Sequence, residues 1–307
     1  MAALTSASLL FTPLSIAGKK VDESIDSKGV NAVTIENISG GVTIIGWNKT
    51  SVTVKGELDD KAEKLVFEKV GNTINIKVEL PNHDSWNSKG SELTIHMPKD
   101  LRMNFESVSS DVDLSDLHSD VTVKTVSGDI KAVDLTKRIE LSSVSGTITT
   151  STLQGKINLS TVSGDIDDTN STGRLQLQAV SGEIKSKSKA NEVFVNNISG
   201  NTELNLAEVA EFKMSAVSGD LEVSLFLQQN GAVKASSVSG GITLDFQNDV
   251  AADFRLKANA GGDLINKLTD KKASRAKYGP SAKLYFQTGN ANSSVRASTV
   301  SGDIVIK

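Results

Sequence analysis

The sequence has no cysteine. Disulfides, zinc–thiolate sites and cysteine nucleophiles are therefore excluded together, while the compartment stays open, because exported proteins can lack cysteine too. Proline is nearly as scarce, with 4 in 307 residues, and aromatic residues make up only 4%. Both fit an elongated all-β protein whose core is thin and made of Val, Ile and Leu. Neither sign of charge dominates: 33 Lys and Arg stand against 37 Asp and Glu, a net charge of −4. The basic residues are scattered, with no run that could track a polyanion, so no nucleic-acid partner is expected. No apolar stretch approaches the roughly 20 residues of a membrane-spanning helix. The three histidines, His83, His96 and His118, have no metal-motif spacing, and no glycine-rich phosphate loop opens a helix.

What the chain does have is repetition. Val126-Ser127-Gly128-Asp129-Ile130 recurs as Val144-Ser145-Gly146-Thr147-Ile148, Val162-Ser163-Gly164-Asp165-Ile166 and Val180-Ser181-Gly182-Glu183-Ile184. Looser copies begin at Ile198, Val217, Val238 and Val300, Val108 opens the series, and Ile38-Ser39-Gly40-Gly41-Val42 stands far upstream. From Val108 to Ile198 every step is 18 residues, followed by steps of 19 and 21. A fixed period marks a stacked-repeat architecture.

Between copies, apolar residues fall two apart: Ile139 and Leu141, Ile157 and Leu159, Leu175 and Leu177, Val193 and Val195. That is the pattern of a strand with one buried face. Ser-Gly breaks the alternation at a corner that suits glycine, after which Ile130, Ile148, Ile166 and Ile184 resume the inward series. So short a unit cannot bury its own apolar face and must stack on its neighbours. The expected fold is all-β: a single-stranded parallel β-helix, or β-solenoid, with coils of about 18 residues. Helical repeats need a 3.6-residue periodicity that is absent. The apolar offsets are not multiples of six, which argues against left-handed hexapeptide winding; right-handed winding is the expected hand.

Residues 1–17 read as a signal peptide: they carry no charge, include Leu9-Leu10-Phe11, and end in the small-residue spacing of Ser15-Ile16-Ala17. A basic n-region is missing, which a start upstream of Met1 would explain; a disordered apolar terminus is the alternative. Residues 18–106 form an N-terminal β region and cap, off the period, with a polar loop around His83, Asp84 and Trp86 and one helix-like turn near Asp59. Residues 107–307 are the repeats. Leu225 to Gly231 and Gln247 to Asp253 lengthen the return corner. Residues 266–280 form a long insertion, expected as a short helix or a mobile surface segment. Ala260-Gly261-Gly262-Asp263-Leu264 reads as a degenerate corner.

Two columns follow from the period. Asp111, Asp129, Thr147, Asp165, Glu183, Asn201 and Asp220 share one corner position. Stacked carboxylates repel, and calcium would relieve them, so Asp129, Asp165, Glu183 and Asp220 are the metal candidates should calcium bind. Turn chemistry is the favoured reading, with Asp bonding nearby backbone N–H groups, and no metal or other cofactor is expected. Asp120, Arg138, Lys156, Arg174 and Glu192 form a mixed column, read as a solvated surface or else a shallow groove for an acidic glycan. Ser186-Lys187-Ser188-Lys189 matches S-x-x-K by letters alone, away from any helix start. No catalytic residue is expected.

The Val-Ser-Gly-Asp-Ile copies, the alternating strands before them and Ile38-Ser39-Gly40-Gly41-Val42-Thr43-Ile44 resemble the bacterial putative-adhesin family. Its members are cell-envelope proteins of β-strand repeats, related in style to head-domain auto-transporter adhesins. The resemblance covers nearly everything after the leader. It implies a non-enzymatic protein of the periplasm or cell surface, an adhesin or scaffold, binding an envelope protein or surface glycan. The alternatives are a polysaccharide-active β-helix enzyme and an envelope-stress sensor or regulator that binds a protein partner.

Overall fold

In the computed structural model, which describes residues 19–81 and 89–307, all twenty-five regular elements are strands, joined in one hydrogen-bonded sheet. The leader with its Ser15-Ile16-Ala17 site and the segment holding His83, Asp84 and Trp86 lie outside the described residues.

Two parallel ladders run through the repeats, one on each side of the Ser-Gly corner. Before the corner, Val121–Thr125, Thr136–Ser143, Gln154–Thr161, Thr172–Ser181 and Glu192–Ser199 stack with Val121, Ile139, Ile157, Leu175 and Val193 in register. After it, Ile130–Val133, Ile148–Ser151, Ile166–Thr169 and Ile184–Ser188 stack with Ile130, Ile148, Ile166 and Ile184 in one column. All four isoleucines are buried, so the expected inward column is present. Alternation explains the burial: every second side chain points inward, and like apolar residues meet at roughly the 4.8 Å ladder spacing.

The return corner has its own signature. Asp116, Asp134, Thr152 and Asn170, again 18 apart, all have positive φ, between 54° and 59°. Asp and Asn tolerate this left-handed conformation; a β-branched Thr does so under strain. Each is followed by a buried residue: Leu117, Leu135, Leu153 and Ser171.

Both ends of the stack run outward and come back. At the N-terminal end, Ala32–Trp47 pairs in parallel with Arg102–Ser115 on one side and with Thr73–Glu79 and Ser91–Pro98 on the other. Outside these lie antiparallel strands: Lys64–Val70 on Thr73–Glu79, Ser51–Glu57 on Ser91–Pro98, and Lys20–Asp26 on Ser51–Glu57. At the other end, Ser293–Ser301 is inserted between Leu221–Ser239 and Ala252–Ala258, and Ile304–Ile306 between Ile242–Phe246 and Leu264–Asn266. Ala282–Gln287 covers Ala252–Ala258 antiparallel. Antiparallel closing strands break the parallel pattern that an open sheet edge would otherwise offer to another chain.

The structure departs from the sequence expectations at several points. Ile38 is not an outlier, because Asn37 and Ser39 pair with Ser107 and Ser109, and stacking therefore begins well before Ser107. Residues 266–280 form no helix. The Asn266 side chain organises a turn, accepting the Leu268 and Thr269 N–H groups and donating to the Lys271 carbonyl, while Leu268 and Ala273 pack against the core. Asp59 also sits in a turn rather than a helix, its carboxylate accepting the Lys61 and Gly90 N–H groups. Leu225 to Gly231 belongs to one continuous strand, Leu221–Ser239, with Leu225 and Leu227 buried.

Candidate functional site

The alternation that buries Ile139, Leu141 and Ser143 leaves Val144 out of phase and facing outward. The same holds at every corner. Ile38, Val108, Val126, Val144 and Val162 are exposed, and so are Val180, Ile198, Val217, Val238 and Val300, each between 40% and 51%. Their flanking residues pair from coil to coil, so the ten side chains form one ridge. Ten rungs at ladder spacing span roughly 43 Å. Scattered exposed valines are ordinary; ten in a line are a contiguous apolar surface of the kind that marks an interaction site. Along its middle a groove of about 370 Å³ runs between Val144, Val162, Val180 and Ile198 and the polar column Ser142, Ser160, Gln178 and Asn196.

The corner beneath the ridge explains why its spacing is so even. Ser163 N–H donates to the Val144 carbonyl at 2.8 Å, and Ser145 N–H to that of Val126 at 2.9 Å. Inside, the residue before two of these valines reaches back one coil: Ser143 Oγ donates to the Gly128 carbonyl at 3.2 Å, and Thr161 Oγ1 to that of Gly146 at 3.4 Å. The glycines are there for contact. A Cβ on Gly128, Gly146, Gly164 or Gly182 would lie within 2.1 Å of the carbonyl oxygen of the preceding coil, and none of the four has a positive φ. The left-handed or bulged conformation expected of this glycine appears at the first corner, Gly40, and in later coils, at Gly200, Gly219, Gly240 and Gly302.

The acidic column bonds differently from an ordinary turn. Asp111 Oδ1 accepts the Asp129 N–H at 2.9 Å, Asp129 that of Thr147 at 2.8 Å, and Asp165 that of Glu183 at 2.8 Å. Asn201 does the same for Asp220 at 3.1 Å, and Asp220 for Gly241 at 2.8 Å. Each side chain therefore ties its corner to the next coil rather than to its own turn. Glu183 instead pairs with Lys185 at 2.8 Å. Among the described residues no group of three or more Asp, Glu or His is placed to hold a metal. The degenerate corner obeys the same rule, since Asp303 Oδ1 accepts the Asp263 N–H at 2.7 Å.

In the mixed column Arg138, Lys156, Arg174 and Glu192 do align. Arg174 reaches Glu192 at 3.3 Å and lies 4.4 Å over the Phe194 ring, whose centroid is also 5.5 Å from Lys213 Nζ. Ser186 and Lys189 do not meet, because Ser186 is buried and Lys189 exposed. His96 packs against Trp47 with ring centroids 5.0 Å apart.

Sequence reasoning missed a polar knot in the core. Asp168 is fully buried and accepts from Thr150 Oγ1 at 2.7 Å, Ser186 Oγ at 2.9 Å and Ser171 Oγ. Burial holds its carboxyl above the usual carboxylate range, and the three hydroxyls oppose that shift. The signal was available: two residues after the inward Ile166, Asp168 falls on an inward position. Also missed was a recess of about 450 Å³ in which exposed Phe226 meets Gln228, Gln229, Asn290, Asn292 and Asp249.

No curated protein matches the sequence. A crystal structure of a putative cell adhesion protein from Clostridium sporogenes is similar with a TM-score of 0.22 and 13% identity, over 94% of this chain and 99% of that one. A likeness at that level carries no argument about fold or function. No helix among the described residues is long and apolar enough to cross a membrane. The profile of the Toastrack DUF4097 family matches residues 30–307, and the chain belongs to that family.

Proposed function

We propose that this is a non-enzymatic, exported envelope protein that binds or scaffolds through the outward face of its stacked corners, wound as a right-handed parallel β-helix. The observation that carries the reading is the ridge from Ile38 to Val300, an apolar line kept exposed at ten corners. The corner carboxylates favour architecture over catalysis, because Asp111, Asp129, Asp165 and Asp220 already accept a backbone N–H of the next coil. A polysaccharide-cleaving site of the usual kind needs two free carboxyl groups facing across one bond. The adhesin label comes from the resemblance of the repeats, and an envelope-stress regulator that binds a protein partner fits the same surface.

The test is binding of the purified protein to isolated envelopes, with a variant carrying Val144→Lys, Val162→Lys and Val180→Lys beside the wild type. Saturable binding that the variant loses supports the reading. Binding indifferent to the ridge, or turnover of envelope polysaccharide, overturns it. A surface glycan is the second reading, favoured by the recess in which Phe226 offers an apolar ring among amide and carboxylate groups. Titration with wall-derived oligosaccharides should then detect binding that Phe226→Ala removes.

A further inference from the structure

We infer that the ridge is a self-association face on which a second copy of this chain packs, parallel to the first, about a two-fold axis running along the ridge. This rests on the reading of the ridge as the binding face and names its partner. Three observations lead to it.

The first is area. Ten Val and Ile rungs, each 40% to 51% exposed, leave about 70 Å² apiece, or roughly 700 Å² per chain. A standard stable interface buries about 800 Å² per partner. The flanking serines, which also face solvent at Ser127, Ser145 and Ser163, make up the difference.

The second is period. The ridge repeats at the ladder spacing from end to end, and a surface of that spacing matches itself at every rung. Small β-branched side chains on two such faces pack as a dry contact between sheets roughly 10 Å apart. A two-fold dimer requires such a self-complementary patch.

The third is charge, and it selects the orientation. Beyond the serines on one side lie the acids Asp111, Asp129, Asp165, Glu183 and Asp220. On the other side the central column is neutral: Ser142, Ser160, Gln178 and Asn196. With the axis along the ridge, each acidic column faces the neutral column of the other copy. With the axis across it, the two acidic columns face one another and repel.

Sedimentation of the full chain tests the association, and the absence of cysteine makes cross-linking clean. At about 50 µM, where an interface of standard size is populated, the wild type should sediment as a dimer. Val144→Lys with Val162→Lys and Val180→Lys should raise the dissociation constant at least about a hundredfold, with an unchanged circular dichroism spectrum as proof of folding. In a parallel dimer each rung meets itself, so Val126→Cys and Val238→Cys should both self-cross-link with a short bismaleimide. Monomeric wild type, or a dimer indifferent to the three lysines, overturns the inference. Cross-linking only at a central rung such as Val180→Cys overturns the parallel packing. A monomer whose envelope binding still requires the ridge refutes the second copy while leaving the proposed function intact; a dimer without envelope binding does the reverse.

Discussion

Replacing Gly164 by alanine tests why this corner uses glycine. A Cβ at that position would lie 2.1 Å from the Gly146 carbonyl oxygen and 3.0 Å from Thr161 Oγ1. Carbon and oxygen normally approach to roughly 3.3–3.6 Å, so the two coils must separate by more than about 1 Å. The displaced carbonyl also accepts the Thr161 hydroxyl, at 3.4 Å. Overpacking of this kind costs about 1–3 kcal/mol, and loosening a largely buried hydrogen bond about 1 kcal/mol more. The smaller freedom of alanine in the unfolded chain returns about 0.4–1 kcal/mol, leaving a net loss of about 1–3.5 kcal/mol. Gly241 supplies the control: the nearest atom to its Cβ position is Asp220 Oδ1 at 3.4 Å, and its φ is not positive. Gly241→Ala should be neutral or stabilising by up to about 1 kcal/mol. Urea unfolding followed by circular dichroism gives both values from the midpoint and slope. If Gly164→Ala is no worse than Gly241→Ala, close packing against the preceding coil is not what the glycine serves.

Substitutions at three further positions address the rest of the stack. Asp165→Asn keeps the oxygen that accepts the Glu183 N–H at 2.8 Å, and stability should stay within about 0.5 kcal/mol; Asp165→Ala should cost about 0.5–1.5 kcal/mol. A chelator should leave the wild-type melting temperature where it is, and a drop that Asp165→Asn abolishes would make the column a calcium site after all. Asp168→Asn tests the buried carboxyl. Its folded-state pKa is raised, chiefly by burial, so its contribution is full below the ordinary carboxylate range and is lost as pH rises through the folded value. The asparagine variant should therefore gain on the wild type as pH climbs from about 3 to 7; a stability difference that does not change with pH refutes this. Thr152 holds φ 59° with a β-branched side chain, and Thr152→Asn should raise stability by about 0.5–1 kcal/mol, measured by the same urea titration.

Period and alternation made the repeats legible, because Ile130 and Ile148 must share a column if coils of 18 residues stack in parallel. The ridge was written in the same string. Ile139 and Leu141 fix the inward phase, and Val144 lies an odd number of positions away. It escapes notice because valine is ordinarily read as core by type, whatever its phase. The acidic column was visible as a column, but the bond from Asp129 to the next coil's N–H depends on side-chain reach rather than on period. Least legible were the two ends. Ile38 lies beside Val108 although 70 positions separate them in the sequence, and no local pattern encodes a return from that distance.

The insertion of Ser293–Ser301 between two earlier coils also sets an order in time. Val233 and Phe254 both pair with Val295, and they stand 21 residues apart, the same step that separates Val217 from Val238. A chain emerging from the ribosome reaches Ala252–Ala258 well before Ser293–Ser301 exists outside. By then the two flanking coils have the spacing to stack directly on one another, as Phe212 and Val233 do at the same separation. The native stack therefore closes only once the later segment has entered between the two, and it is completed from within rather than at its tip.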